Sequence, residues 1–437
     1  MKSMPTLRRA WLFAGVLLML LLALAACSSD NESTPSTTAA TTFDGTIRFG
    51  EITDLQGPGG ASSTVLSHDA AMKSAIADIN AKGGVTVAGK HYKLEQVRID
   101  ARGDPAAGST AAASQMLDTQ NLVAVYLGNL GADASYQILK TKVISYSASP
   151  AVTYHIDSPV AFPAGEGPDN HPLLFSNIDG FAPIVAAHLK MATIAYPSIK
   201  NIGFIGSNAP LGKNLSQATQ VTGQRLGLTF VGTELVDVGV TDMATQVTSL
   251  KAKNPDFVFF ATQPSILTAV NAATDGGLAK YYGAWTVRPF DIKTQLKPLG
   301  SSVMISPDWR LPFHKNLAPP QYVDAVNKLG ALENGQPPNT GWQISQWDFV
   351  HLLAQAIEKA GTFSDPNAVA KALIGLSYDS PFGKVNVLDN HTTHGPIGMI
   401  SKDGSTYTVW GWNSIESVLA GDQPPIKFSA PAAQVEQ

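Results

Sequence analysis

The sequence predicts an α/β protein of two lobes, each a parallel sheet covered by helices on both faces. Three observations carry this. From Thr46, short β-branched apolar runs alternate with stretches of helical period, which is the grammar of βαβ units. The alternation restarts at Asn201 after an interval rich in Pro, Gly and Asp, Val152 to Asn177. A chain of 437 residues, 44% hydrophobic, is long enough for two full cores.

The N-terminus has a basic start (Lys2, Arg8, Arg9), an apolar run from Ala10 to Ala26, and the exit Leu24-Ala25-Ala26-Cys27. That order predicts a secretory signal over 1–26. The placement of Cys27 resembles a bacterial lipobox, in which the cysteine is acylated and becomes the new N-terminus. Cys27 is the single cysteine of the chain, so its acylation leaves no thiol for disulfides, redox chemistry or nucleophilic catalysis. More than one acyl chain gives stable anchoring. Residues 27–45 are Ser- and Thr-rich and predict a disordered tether. The formal charge of −4 becomes more negative without the basic signal, and no basic patch stands out, which argues against nucleic acid as a partner. No further stretch of membrane-spanning length follows, and a monomer is expected.

In the first lobe, Ile47–Thr53 reads as a strand, followed by a turn at Gln56-Gly57-Pro58-Gly59-Gly60. A helix over Ser67–Ala81 carries the stripe Ala71, Ala75, Ile76 and Ile79, and Lys82-Gly83-Gly84 stops it. Tyr92–Asp100 is a strand, Ala106–Asp118 a helix and Leu122–Leu127 a strand. A turn (Gly128 to Ala132), a short amphipathic segment and a strand running into Ser145-Tyr146-Ser147-Ala148-Ser149-Pro150 complete the series. The second lobe repeats it: strands Ile202–Ile205, Thr229–Val236 and Asp256–Ala261, with helices Gly212–Leu226, Asp242–Lys253 and Ser265–Thr274. Strands return after Gly383. The expected division is 46–175 with 303–400 for the first lobe, 176–302 with 401–425 for the second, and a tail over 426–437.

Ligands of open α/β sheets sit beyond the carboxyl ends of the strands. The two first-lobe strands Leu122–Leu127 and the one ending at Ser149 both finish in small and hydroxylated residues. Free N–H groups at Asn129, Leu130, Gly131 and Ala132, leading into a helix, suit an anionic group. Ser147 and Ser149, either side of Ala148, add hydroxyls that donate and accept. No GxxxxGK[ST] loop, HExxH or GxSxG elbow occurs, and Gly57-Pro58-Gly59-Gly60 lacks dinucleotide spacing. Neither an enzyme nor a cofactor is expected. His391 and His394 have metal-compatible spacing without a third ligand, so no metal site is expected.

The string AAMKSAIADINAKGGVTVAGKHYKLEQVRID (70–100), then VAVYLGN, VISYSASP and PDFVFFATQPSILTAVNAATDGGL (255–278), resembles the leucine/isoleucine/valine-binding family of type I periplasmic binding proteins. The resemblance spans about 46–415. It implies two Rossmann-like lobes joined by three crossings, with a cleft that closes over a small solute and presents it to the membrane subunits of an ABC importer. In such relatives a serine after the Gly turn and an Ala-Ala-Thr-like stretch hold the ligand carboxylate. Ser147-Ala148-Ser149 keeps the second element, whereas Gly131 or Ala132 replaces the serine. Relatives place a tyrosine before the Gly of the second-lobe helix, where this chain has Leu211. No acid stands in Tyr281 to Arg288 to meet an α-ammonium. Trp285 can instead supply an apolar wall, Arg288 a counter-charge and Gln263 an amide contact. Gly383 to Gly398, with Asn390-His391-Thr392-Thr393-His394, resembles the C-terminal region of urea- and amide-binding members, which leaves a neutral amide as the alternative solute. A sensor of the same fold without transport is a further alternative.

Overall fold

The computed structural model describes residues 42–55, 63–104, 106–128, 132–147, 170–179, 181–208, 210–237, 240, 242–262, 265–284, 287, 289–308, 310–311, 316–325, 340–421 and 423–436. Cys27, Gln56, Asn129, Leu130, Gly131, Ala148, Ser149, Gln263, Trp285 and Arg288 lie outside the described residues.

The first sheet forms where the alternation predicts it. Strands β1 (Gly45–Thr53), β2 (Val85–Val87), β3 (Lys90–Asp100), β4 (Leu122–Gly128), β5 (Ile144–Ser147) and β6 (Leu174–Ser176) take the order β2-β3-β1-β4-β5-β6. Only the β2–β3 hairpin is antiparallel. Helices α1 (Ser63–Ala81), α2 (Ala107–Met116) and α3 (Ala132–Leu139) follow β1, β3 and β4. The expected stripe of α1 is buried throughout. Asn80 fixes that helix to the sheet, because its side chain both donates to the Leu94 carbonyl and accepts from the Leu94 N–H. The helix ends at Ala81, and the chain turns away at Gly84, whose φ of +77° and closeness to the Tyr92 carbonyl leave no room for a Cβ.

The second half of the chain runs α4 (Phe181–Ala195), β7 (Asn201–Ser207), α5 (Pro210–Arg225), β8 (Thr229–Val236), α6 (Ala244–Lys251), β9 (Phe257–Ala261), α7 (Ile266–Gly276), β10 (Tyr281–Ala284), α8 (Pro289–Gln295) and β11 (Val303–Asp308). The chain then returns to the first lobe. There α9 (Thr340–Ala360) packs on α1, α10 (Pro366–Leu373) packs on α9, and β12 (Ser377–Ser380), β13 (Gly383–Val387) and β14 (Thr393–His394) form a small antiparallel sheet. It finishes in the second lobe with β15 (Ile397–Asp403), β16 (Thr406–Trp412), α11 (Ile415–Ala420), β17 (Ile426–Pro431) and α12 (Ala432–Val435). The second sheet has the order β17-β16-β15-β11-β10-β9-β7-β8, with the β11-to-β8 part parallel and the rest antiparallel.

Two expected placements differ. Val303–Asp308 and Ile397–Ile400, read into the first lobe, pair with each other in the second sheet, because the βα alternation continues one unit further before the chain crosses. Residues 426–437, read as a tail, supply β17 along the edge of β16 and then α12. The chain passes between the lobes three times: after β6, after β11 and after β14. Among the described residues no helix is long and apolar enough to cross a membrane.

Candidate functional site

The parallel strands of both sheets direct their carboxyl ends into the loops that the switch-point rule assigns to a ligand. In the first lobe those loops are pinned by carboxylates. Asp100 accepts from the N–H groups of Leu55 (2.9 Å) and Arg102 (2.8 Å), and Asp54 accepts from Gly103 N–H (3.0 Å). The Asp that closes β3 therefore shapes the rim.

Ser147 stands at the end of β5, almost fully buried, and its hydroxyl donates to the Leu127 carbonyl at 3.0 Å. Ser176 in turn donates to the Ser147 carbonyl at 3.2 Å. The first of the expected hydroxyls thus ties β4 to β5 at the strand ends. Ala132 opens α3 and packs against the apolar cluster behind the sheet, so it contributes backbone rather than a side chain to the site. Asp133 follows in the first turn, and burial raises its carboxyl above the usual range.

In the second lobe, Gly212 lies so close to the Ser207 carbonyl and hydroxyl that any Cβ would collide, which draws α5 tightly onto the end of β7. Thr262 follows β9 and is 3% exposed, and its hydroxyl has no hydrogen-bond partner among the described residues. A buried hydroxyl at a strand end with both functions unused is open to a ligand. Sequence reasoning chose its neighbour Gln263 and missed Thr262, although a hydroxyl directly after a buried strand was the signal to follow. Val287 N–H donates to Ser306 Oγ at 2.6 Å, which ties Val287 to β11.

Beneath the first-lobe strand ends lies a buried polar layer that the sequence did not reveal. Arg98, Glu51, Tyr126 and Tyr146 are successive cross-strand neighbours on β3, β1, β4 and β5. Gln96 donates to Glu51 at 2.6 Å and to Asp69 at 3.1 Å, while Asp69 is paired with Lys73 (2.6 Å) and Arg98 (3.0 Å). Burial, with the Asp69 charge beside it, pushes the Glu51 carboxyl up to about 8. Burial drives His68, 2.7 Å from the Tyr126 hydroxyl, down to about 3. Near neutral pH, Glu51 is therefore protonated and His68 is neutral.

A second polar cluster ties the crossings together. Arg310, buried in the second crossing, donates to the carbonyls of Asn177 (3.2 Å) in the first and Thr393 (3.4 Å) beside the third. Its guanidinium also lies 3.9 Å from Asp179 and from Asp348. Burial raises Asp179 to about 6 and Asp348 to about 7. His391 stacks on Phe175 and lies 2.9 Å from the Leu174 carbonyl, whereas His394 faces Asp179 and Glu416. The two histidines therefore serve different partners. Among the described residues no group of three or more His, Cys, Asp or Glu is arranged to hold a metal ion.

A family model for periplasmic binding proteins matches residues 46–403. No curated protein matches the chain. Among solved structures, the leucine-binding protein LivK of Thermotoga maritima is similar at 18% identity and TM-score 0.64, covering 84% of this chain and 98% of its own. An ABC-transporter solute-binding protein of R. palustris in complex with benzoate is similar at 12% identity and TM-score 0.63, covering 87% and 97%. One from Rhodopseudomonas palustris BisB5 with 3,4-dihydroxybenzoic acid shares 18% identity at TM-score 0.62, covering 84% and 97%. At these identities the likeness is one of fold, and the match of the family model over most of the chain establishes that it belongs to the periplasmic binding protein family.

Proposed function

We propose that this chain is the solute-binding component of an ABC importer, held outside the cytoplasmic membrane by an acylated Cys27. We further propose that its cleft takes a small carboxylate without a free α-amino group. The carrying observation is a pair of parallel-rich sheets, with the buried and unpartnered hydroxyl of Thr262 at the end of β9, in a chain of this family. The carboxyl ends of β7, β9 and β10 present Ser207, Thr262 and Ala284, and the neighbouring β11 ends in the buried Asp308. Relatives crystallised with benzoate and 3,4-dihydroxybenzoate support an aromatic acid as the class to test first. The Asn390–His394 string that favours an amide carries hinge contacts here, so it lends no weight to urea.

Native mass spectrometry of protein purified without denaturation should find a co-purified small acid. In calorimetry, benzoate should bind more tightly than leucine. Ser149→Ala should weaken binding roughly ten- to a hundredfold, the usual effect of one lost hydrogen bond to a charged group. Arg288→Ala should weaken an acid and spare a neutral amide. Micromolar leucine binding that survives Ser149→Ala would overturn both the site and the ligand class. For the anchor, the intact mass of membrane-extracted protein should begin at Cys27 with added acyl mass, and Cys27→Ser should remove it.

A further inference from the structure

We propose that Gln343, in the first turn of α9, selects among solutes by hydrogen-bonding an uncharged hydroxyl that the solute carries besides its carboxylate. This role rests on the cleft between the lobes being the solute site, as set out above.

The first turn of α9 lies where strand ends of both lobes meet. Gly341 stands so close to the carboxylate of Asp308, the last residue of β11 in the second lobe, that no Cβ fits there. Gln346 donates at 3.1 Å to the hydroxyl of Tyr146, the last residue but one of β5 in the first lobe. With a rise of about 1.5 Å per residue, Gln343 sits about 3 Å along the helix from the first contact and about 4.5 Å from the second. Both β5 and β11 meet this turn with their carboxyl ends, the side on which ligands of parallel sheets bind.

Gln343 is fully buried, and neither its Oε1 nor its Nε2 finds a hydrogen-bond partner among the described residues. Its neighbours on the helix differ, since Ser345 and Gln346 both accept from Asn177 Nδ2, at 3.5 and 3.3 Å. Asn177, also fully buried, keeps its Oδ1 without a partner among those residues. A buried amide in that state is desolvated without compensation, which folded proteins avoid. A group that satisfies both ends of Gln343 must donate and accept at once. A carboxylate only accepts and an ammonium only donates, whereas a hydroxyl does both through one atom. The charges nearby point the same way. On the sheet side Tyr146 is followed across the strands by Tyr126 and Glu51, and burial keeps the Glu51 proton in place up to about 8. On the other side stands Asp308, an acid that disfavours a second carboxylate on the solute.

Calorimetry on the solute-free full chain carrying Cys27→Ser should find 3- or 4-hydroxybenzoate bound about tenfold more tightly than benzoate. Gln343→Leu should bring that isomer to the level of benzoate and leave benzoate itself unchanged. Ser149→Ala should weaken both acids and keep their ratio. Solute-free Gln343→Leu should unfold at no lower temperature than the parent, because an apolar side chain of similar size replaces an amide without a partner. Phenol, which has the hydroxyl and no carboxylate, separates this role from the carboxylate reading. Its binding, followed by saturation-transfer NMR, should be lost in Gln343→Leu. If neither acid binds and phenol behaves in this way, the carboxylate reading falls and the role of Gln343 stands. A parent with neither the hydroxyl preference nor phenol binding, or with either one undiminished in Gln343→Leu, overturns it and leaves Gln343 to ordered water. Lowered stability of Gln343→Leu together with an equal loss for every solute overturns it as well, and marks the residue as structural.

Discussion

At the scale of single residues, the fully buried carboxyl of Glu51 is the sharpest departure from ordinary chemistry. It accepts from Gln96, faces the charge of Asp69, and keeps its proton up to about 8. The unfolded chain releases that proton in the ordinary carboxylate range, so the stabilising contribution is fully present below that range. It is lost as pH rises through about 8. Glu51→Gln keeps the shape and removes the titration. Denaturant unfolding should show the parent losing roughly 3–5 kcal/mol relative to Glu51→Gln between about pH 4 and pH 9, because each pH unit separating the folded and unfolded titrations is worth about 1.4 kcal/mol. A constant difference across that range would show that Glu51 is charged in the folded state. Sequence could not reveal this layer. Glu51 occupies an inward position of a strand whose alternation looks regular, and only the cross-strand neighbours Arg98 and Tyr126 define its surroundings. Ser147 was legible as a strand-end hydroxyl, but its engagement with the Leu127 carbonyl depends on a partner twenty residues away.

At the scale of elements, β1, β3, β4, β7, β8 and β9 fall within a residue or two of the positions set by their apolar runs, since continuous burial on both faces leaves little freedom in where a strand sits, whereas the shorter strands and those of the antiparallel edge were not read. The long helix α9 was not legible. Buried residues Gln343, Ser345, Gln346, Asp348 and His351 are distributed around its circumference and interrupt the apolar stripe that marks a helix. One of them, Gln346, finds its partners in distant segments, donating to the Tyr146 hydroxyl and accepting from Asn177. The next helix, α10, was not read either, although its start carries a capping signal. Asp365 precedes Pro366, and its side chain accepts from the N–H groups of Asn367 and Ala368. Removing that cap with Asp365→Ala should lower stability by about 1 kcal/mol without altering solute affinity. Equal loss of affinity in calorimetry would mean that α10 is coupled to the cleft.

At the scale of the whole molecule, one apolar cluster runs continuously from β1 and α1 of the first lobe to β9, β10 and β16 of the second. Arg310 sits where that continuity meets the three crossings. Its hydrogen bonds to Asn177 and Thr393 and its proximity to Asp179 and Asp348 make it the one residue among those described that touches all the crossing segments and α9. Removing one partner of a buried charge cluster is costly, because the remaining carboxyls must either stay charged without compensation or take up protons. Arg310→Met should therefore lower the unfolding free energy by about 3–5 kcal/mol. Neutralising the two carboxylates in the triple variant Arg310→Met/Asp179→Asn/Asp348→Asn should restore much of that loss, since the penalty resides in stranded charge rather than in lost volume. A simple packing role predicts the reverse, with the triple variant no more stable than Arg310→Met alone. Thermal unfolding of the parent, the single and the triple variant separates the two. Because the lobes share a core, the parent should unfold in one cooperative transition by both far-ultraviolet circular dichroism and tryptophan fluorescence. Two resolved transitions in the parent would show that the crossings couple the lobes far more weakly than the buried charges around Arg310 imply.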